Sequence, residues 1–157
     1  MTLDDLTVSF KHLDRTQLLS DWRWLVGTTK LPILLTASGD AFLQDADDDS
    51  IHVLDVAAGE LKRIAGSSGE FSALLDNRDF VVSHFAVDMV GDLRQAGRTL
   101  AAGQIYSFKK APVLGGKYVL DNIEPADIEV HFSLAGQIHE QVRKLPPGTK
   151  IKGVSIK

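Results

Sequence analysis

The chain is 157 residues long, 44% apolar and 24% charged, a globular balance that excludes disordered and membrane-embedded classes and fits one domain over residues 1–157. A net charge of −4 without a dense Lys/Arg cluster argues against nucleic acid as a partner; Lys109-Lys110 and the tail lysines Lys150, Lys152 and Lys157 come nearest. The lack of cysteine removes disulfides, thiol nucleophiles and cysteine-based zinc sites together.

The N-terminus, MTLDDLTVSF, opens on acids and has neither the basic start nor the apolar stretch of a signal peptide, so a cytoplasmic protein is expected. From Asp14 to Val26, Leu18, Leu19, Trp22, Leu25 and Val26 fall on one helical stripe, with Asp14 as N-cap and Gly27 as stop. Leu31 to Ser38 reads as a buried strand, far short of the ~18 apolar residues that a membrane span requires. Gly39-Asp40 makes a turn, and Ala41 to Gln44 returns as the second arm of a hairpin. Asp45, Asp47, Asp48 and Asp49 then form an acidic loop. Ile51 to Val56 alternates, with Ile51 and Val53 on one face and His52, Leu54 and Val56 on the other. Ala57-Ala58-Gly59 turns the chain back into a strand over Glu60 to Ala65, giving an antiparallel meander.

Past Ser67 to Gly69 the spacing predicts a short helix over Glu70–Asp76. A long helix is expected over Arg78–Ala96, with Gly91 inside it at a cost of about 1 kcal/mol and Gly97 as its stop. Gly103 leads into a strand, Gln104 to Phe108. A loop from Lys109 to Gly116 follows, with Pro112 rigidifying it and Gly115-Gly116 permitting tight turns. Lys117 to Leu120 is again strand-like. Ser133 to Leu145 places Ala135, Ile138, Val142 and Leu145 on one apolar helix face, stopped by Pro146-Pro147-Gly148. The order implies an α+β single domain: a mainly antiparallel sheet of about five or more short strands, with helices packed against it.

Fragments of catalytic and binding motifs each lack a residue that their chemistry needs. His139-Glu140 begins a zinc motif, but Arg143 stands where the second histidine belongs. His131 and His139 are eight residues apart, about 12 Å along a helix, too far to share an ion, and read as helix-surface residues. Asp45, Asp47 and Asp49 copy the opening of a calcium loop, but Ser50 and Val56 replace its glycine and final glutamate. Gly115-Gly116-Lys117 is followed by Tyr118 rather than Ser or Thr, which leaves no phosphate loop. Gly97 to Gly103 lacks dinucleotide spacing, and no serine sits in a nucleophile elbow. Tyr106 and Phe108 lack interleaved Arg/Lys and read as core rather than as a base-stacking platform. Neither catalytic nor cofactor nor metal residues are therefore assigned.

Several blocks together resemble a known bacterial family. They are Leu31-Pro32-Ile33 through Gly39-Asp40-Ala41-Phe42, then Leu54-Asp55-Val56 with Gly59-Glu60-Leu61. The third runs from Gly103-Gln104, Tyr106 and Phe108 through Pro112-Val113-Leu114-Gly115-Gly116 and Tyr118. It continues through Gly136-Gln137-Ile138-His139-Glu140-Gln141-Val142 to Leu145-Pro146-Pro147-Gly148-Thr149. The pattern, from about Asp14 onward, is similar to the C-terminal domain of immunity proteins that neutralise DNase effectors of type VI secretion. That domain often follows a GAD-like domain, which this chain is too short to hold as well. The resemblance implies a non-enzymatic binder whose partner is a cognate toxin, and it supplies no catalytic residues.

Three function classes follow. In the first the protein occludes a basic toxin surface, with Asp45, Asp47, Asp48 and Asp49 as contact. In the second it is a small-ligand-binding or regulatory module with the Lys109–Tyr118 loop as a lid over the sheet. The third is a hydrolase in which His84, His131 or His139 joins carboxylates in a concave pocket.

Overall fold

The computed structural model describes residues 1–151 and 153–156; Lys152 and Lys157 of the lysine tail lie outside the described residues. Five strands form one antiparallel sheet in sequence order: β1 (Thr7–Val8), β2 (Lys30–Thr36), β3 (Ala41–Asp45), β4 (Ile51–Asp55) and β5 (Glu60–Ala65). The expected meander is present, and its register places Phe42 beside Val53 and Leu54 beside Leu61. A break in register between Pro32 and Leu34 bends β2, and the Arg15 guanidinium donates to the Pro32 carbonyl there at 2.8 and 3.0 Å. β1, preceded by the one-turn helix α1 (Leu3–Leu6), was not anticipated and adds an edge to β2.

Both faces of the sheet are covered. On one face Phe42, Ile51 and Val53 pack with Phe71, Phe85, Val90 and Leu93. On the other, Leu35, Leu43, Leu54 and Val56 pack with Trp22, Val26, Ile128 and Phe132. The strict alternation of β4 is thus a two-sided burial.

The helices depart from expectation in three ways. The stripe from Asp14 to Val26 is no continuous helix: turns lead into a 3-10 segment, Ser20–Trp22, and the short α2 (Arg23–Val26), although Leu18, Leu19, Trp22 and Val26 are all buried. After α3 (Ser68–Leu75) the expected helix over 78–96 divides into α4 (Arg78–His84) and α5 (Val87–Gln95). The break is at Ala86, which sits in the left-handed region at φ 49°, ψ 50°. α5 then ends as expected: Gly97 has φ 77°, its N–H bonds to the Arg94 carbonyl, and the Arg98 N–H reaches back to Leu93. The last helix, α6 (Ile128–Arg143), begins five residues before Ser133, because the Asp127 carboxylate caps it through the Val130 N–H at 3.0 Å.

The buried face of α6 also differs. It carries Ile128, His131, Phe132, Gly136 and His139, while Leu145 beyond its end is 40% exposed. Gly136 admits a close backbone approach to the 3-10 segment. A Cβ there would lie 2.6 Å from the Asp21 carbonyl oxygen. Finally, Lys117–Leu120 is no strand. The partner of β6 (Gln104–Phe108) is β7 (Ile123–Asp127), which contains Pro125, tolerated because among the described residues no further strand pairs with the outer edge of β7. This two-stranded unit is tied to the main sheet by the Tyr106 N–H bond to the Ala37 carbonyl, 2.8 Å.

Candidate functional site

In a meander, alternate turns fall at the same end of the sheet. The β2–β3 turn at Gly39 and the β4–β5 turn at Gly59 are therefore neighbours, two strand spacings or roughly 10 Å apart. Eight residues of α6 span about 12 Å, which matches that separation. His131 lies on the first turn and His139 on the second: the Nε2 of His131 is 2.8 Å from the Gly39 carbonyl, and that of His139 is 2.8 Å from the Val56 carbonyl. Both glycines have positive φ, 96° and 69°, and a Cβ on either would collide with its histidine ring. The two rings are 8% and 7% exposed, so the expectation of surface histidines is overturned. Their spacing, too wide for one metal ion, fits two hairpin turns. Among the described residues no group of three His, Asp or Glu is placed to hold a metal.

Between these turns, α6, the β6–β7 unit and the 109–119 loop lies a cleft of about 440 Å³. Asp40 and Asp55 come from the two turns, Ser107 and Lys109 from the end of β6, Glu124 from β7, and Tyr118 from the overhanging loop. Burial pushes the Asp40 carboxyl up to about 7, against the opposing effect of the Val56 N–H, with neighbouring Asp55 adding to the rise. That N–H donates to Asp40 Oδ1 at 2.9 Å. Burial also raises the Tyr118 hydroxyl, and the charges of Asp55 and Asp40 raise it further. His131 is lowered to about 4 and His139 is lowered too, in each case mainly by burial.

The loop above the cleft is built by its turn residues. Pro112 starts a 3-10 turn, Gly115 ends it at φ 95°, and a Cβ on Gly116 would strike the Lys110 carbonyl. Asn122 staples the loop base, accepting from the Lys110 N–H and donating to the carbonyls of Lys110 and Lys117, each at 2.9 Å. Gly103, at φ 80°, takes the Ile128 N–H on its carbonyl and so joins the start of β6 to α6.

One arrangement resembles a nucleophile and base: Ser107 Oγ is 2.8 Å from His131 Nδ1. With the Nε2 proton fixed on the Gly39 carbonyl, the ring accepts the serine proton at Nδ1. A base titrating near 4 is poorly matched to neutral pH, and the pair reads as a staple between α6, β6 and the turn. His84 takes no part in the cleft; it stacks on Phe80 with ring centroids 4.2 Å apart.

The acidic loop lies at the opposite end of the sheet. Asp45 accepts from the Asp47 N–H and pairs with Lys30 at 3.4 Å, and Asp48 accepts from the Ser50 hydroxyl and N–H. These bonds hold the Asp45 and Asp48 carboxyls below the usual range. Asp47, Asp48 and Asp49 are exposed. A second hollow, of about 500 Å³ beside α1 and β1, is lined by Asp5 and Arg94, which pair with each other at 2.9 Å.

Residues 65–139, which supply α6, the β6–β7 unit and the loop around the cleft, carry the deciding likeness. They match the family model described as T6SS immunity protein Tdi1, C-terminal. The resemblance to the type VI immunity family is thereby borne out over this span, while the quoted blocks at 31–42 and 54–61 lie before it. Those earlier blocks nevertheless meet the Tdi1-like span in space, since Asp40 and Asp55–Ala57 line the same cleft. The crystal structure of Atu4351 from Agrobacterium tumefaciens is similar in fold, with a TM-score of 0.56 at 20% identity over 78% of this chain and 61% of that one. This chain thus spans about three-fifths of that protein's length. No curated protein matches. No helix among the described residues is long and apolar enough to cross a membrane.

Proposed function

We propose that this protein is a non-catalytic, immunity-type binder that neutralises a cognate DNase effector of type VI secretion by direct contact in the cytoplasm. The match of residues 65–139 to the Tdi1 C-terminal family carries the reading. The surface agrees with it. Tyr118, Val130 and Leu134 at the cleft mouth are 68%, 51% and 38% exposed, an apolar rim of the kind that protein partners cover. At the far end Asp47, Asp48 and Asp49 would steer a basic partner, with Asp45 held in place by Lys30. The test is co-expression in a bacterial host with a type VI DNase effector cloned from the same genome. Growth rescue together with a complex that co-elutes is the expected outcome; death of the host without any complex would sink the reading.

A small-ligand module is the second reading, favoured by the cleft beneath the 109–119 loop. Under it, a metabolite would raise the melting temperature of the isolated protein in a concentration-dependent way.

A further inference from the structure

The cleft has a one-sided charge pattern. Among the described residues three carboxyl groups, Asp40, Asp55 and Glu124, face it against one cation, Lys109. The two histidines in its wall donate Nε2 to backbone carbonyls and stay neutral, so they offset none of that negative charge. Asp40 spends Oδ1 on the Val56 N–H, and Asp55 spends Oδ1 on the Ala58 N–H at 3.0 Å. Among the described residues the second oxygen of each makes no hydrogen bond, which leaves it to receive a donor. Beside them stand Phe108 and Tyr118, packed edge to face at 5.1 Å, which offer an aromatic wall to a cation and its aliphatic stem.

Such a seat inside an exposed apolar rim suits a side chain presented by a larger surface. Beyond that seat, the exposed rim residues Val130 and Leu134 offer further apolar surface for a protein partner to cover. We propose that the cleft seats a lysine or arginine side chain projecting from the partner protein, with its cationic head between Asp40 and Asp55 and its stem against Phe108 and Tyr118. The inference rests on the protein-binding reading above, and places the decisive contact in the cleft rather than on the acidic loop.

Seating a cation draws the proton from Asp40, so affinity rises with pH through about 7. The other groups facing it are Asp55 from the β4–β5 turn, Lys109 and Glu124 from β6–β7, Tyr118 from the loop, and His131 and His139 from α6.

The experiment is a calorimetric titration of that DNase effector into three proteins: the wild type, Asp40→Asn/Asp55→Asn, and Asp47→Asn/Asp49→Asn. Asparagine keeps the carbonyl oxygen that accepts from Val56 or Ala58, so the turns persist, and thermal unfolding checks this. The cleft variant is expected to bind roughly ten- to a hundredfold more weakly, with the loop variant within about threefold of wild type. Wild-type affinity in the cleft variant overturns the inference and leaves the immunity reading standing. If the wild type itself fails to bind the effector, the immunity reading fails, and the seat is probed by amide NMR with agmatine against uncharged 1-pentanol. Shifts at Asp55–Ala57 and Phe108 with agmatine alone would assign the seat to a free amine and overturn a protein partner. The absence of agmatine-specific shifts would overturn the cation seat altogether.

Discussion

Asp40 and His131 face the same cleft and titrate against each other. The Asp40 carboxyl rises from an ordinary 3.8 to about 7, so between those values the folded chain holds a proton that the unfolded chain has released. Its effect is therefore to lower stability as pH rises toward 7. His131 falls from 6.5 to about 4; the unfolded chain takes up a proton that the folded one refuses, and stability drops as pH falls through that window. The slopes of these two groups oppose each other over the pH range they share. Asp40→Asn removes one of them. It should be more stable than wild type at pH 8, by about 1–3 kcal/mol since the carboxyl is still reached by solvent from the cleft, and should lose stability steeply from pH 6.5 down to 4. Urea unfolding at pH 5 and pH 8 measures both; an unchanged profile would mean that Asp40 ionises in the fold at its ordinary value.

Among the elements, the break between α4 and α5 has the clearest local cause and cost. Ala86 occupies the left-handed region, where a Cβ is strained and a glycine is not. Ala86→Gly should raise stability by about 0.5–1 kcal/mol, seen as a higher urea midpoint with an unchanged slope. A loss instead would show that the Ala86 methyl, which lines the cleft, is held there by packing worth more than the strain. No glycine or proline marks this break, so the 3.6-residue periodicity ran straight through it. The strands β2 to β5 were legible because alternation and Gly-Asp or Ala-Ala-Gly turns signal the same thing twice. β7 was not: Ile123–Asp127 carries a proline and two acids, whereas the apolar-looking Lys117–Leu120 belongs to a loop that Asn122 pins in place. The buried face of α6 was misread for a related reason. Two of its inward residues are histidines whose partners, the Gly39 and Val56 carbonyls, are distant in sequence, so an apolar-only pattern rotates the helix away from its true contact. The cleft was legible only as fragments: the Lys109–Tyr118 loop and Gly39-Asp40 stood out, but nothing local joined them to Asp55 and His139.

At the scale of the molecule, the sheet is assembled from neighbours in sequence and then covered by segments far apart in it. The indole of Trp22 donates to the Phe132 carbonyl at 2.8 Å, a bond between residues 110 positions apart. Trp22 also stacks on Trp24 at 5.8 Å and lies 5.5 Å from the His139 ring. Contacts of that span carry a large loop-closure cost, whereas the β2–β5 hairpins carry little. Time is what this layout sets: the meander is expected to form before the rate-limiting barrier, and α6 to dock after it. Phe132→Leu should therefore speed unfolding while leaving the refolding rate nearly unchanged, and Val53→Ala in β4 should slow refolding. Stopped-flow tryptophan fluorescence distinguishes the two, and equal slowing of refolding by both substitutions would place the docking of α6 inside the barrier. If α6 closes last, the cleft is also the last part of the molecule to exist, and a partner that needs it can be met only by a finished chain.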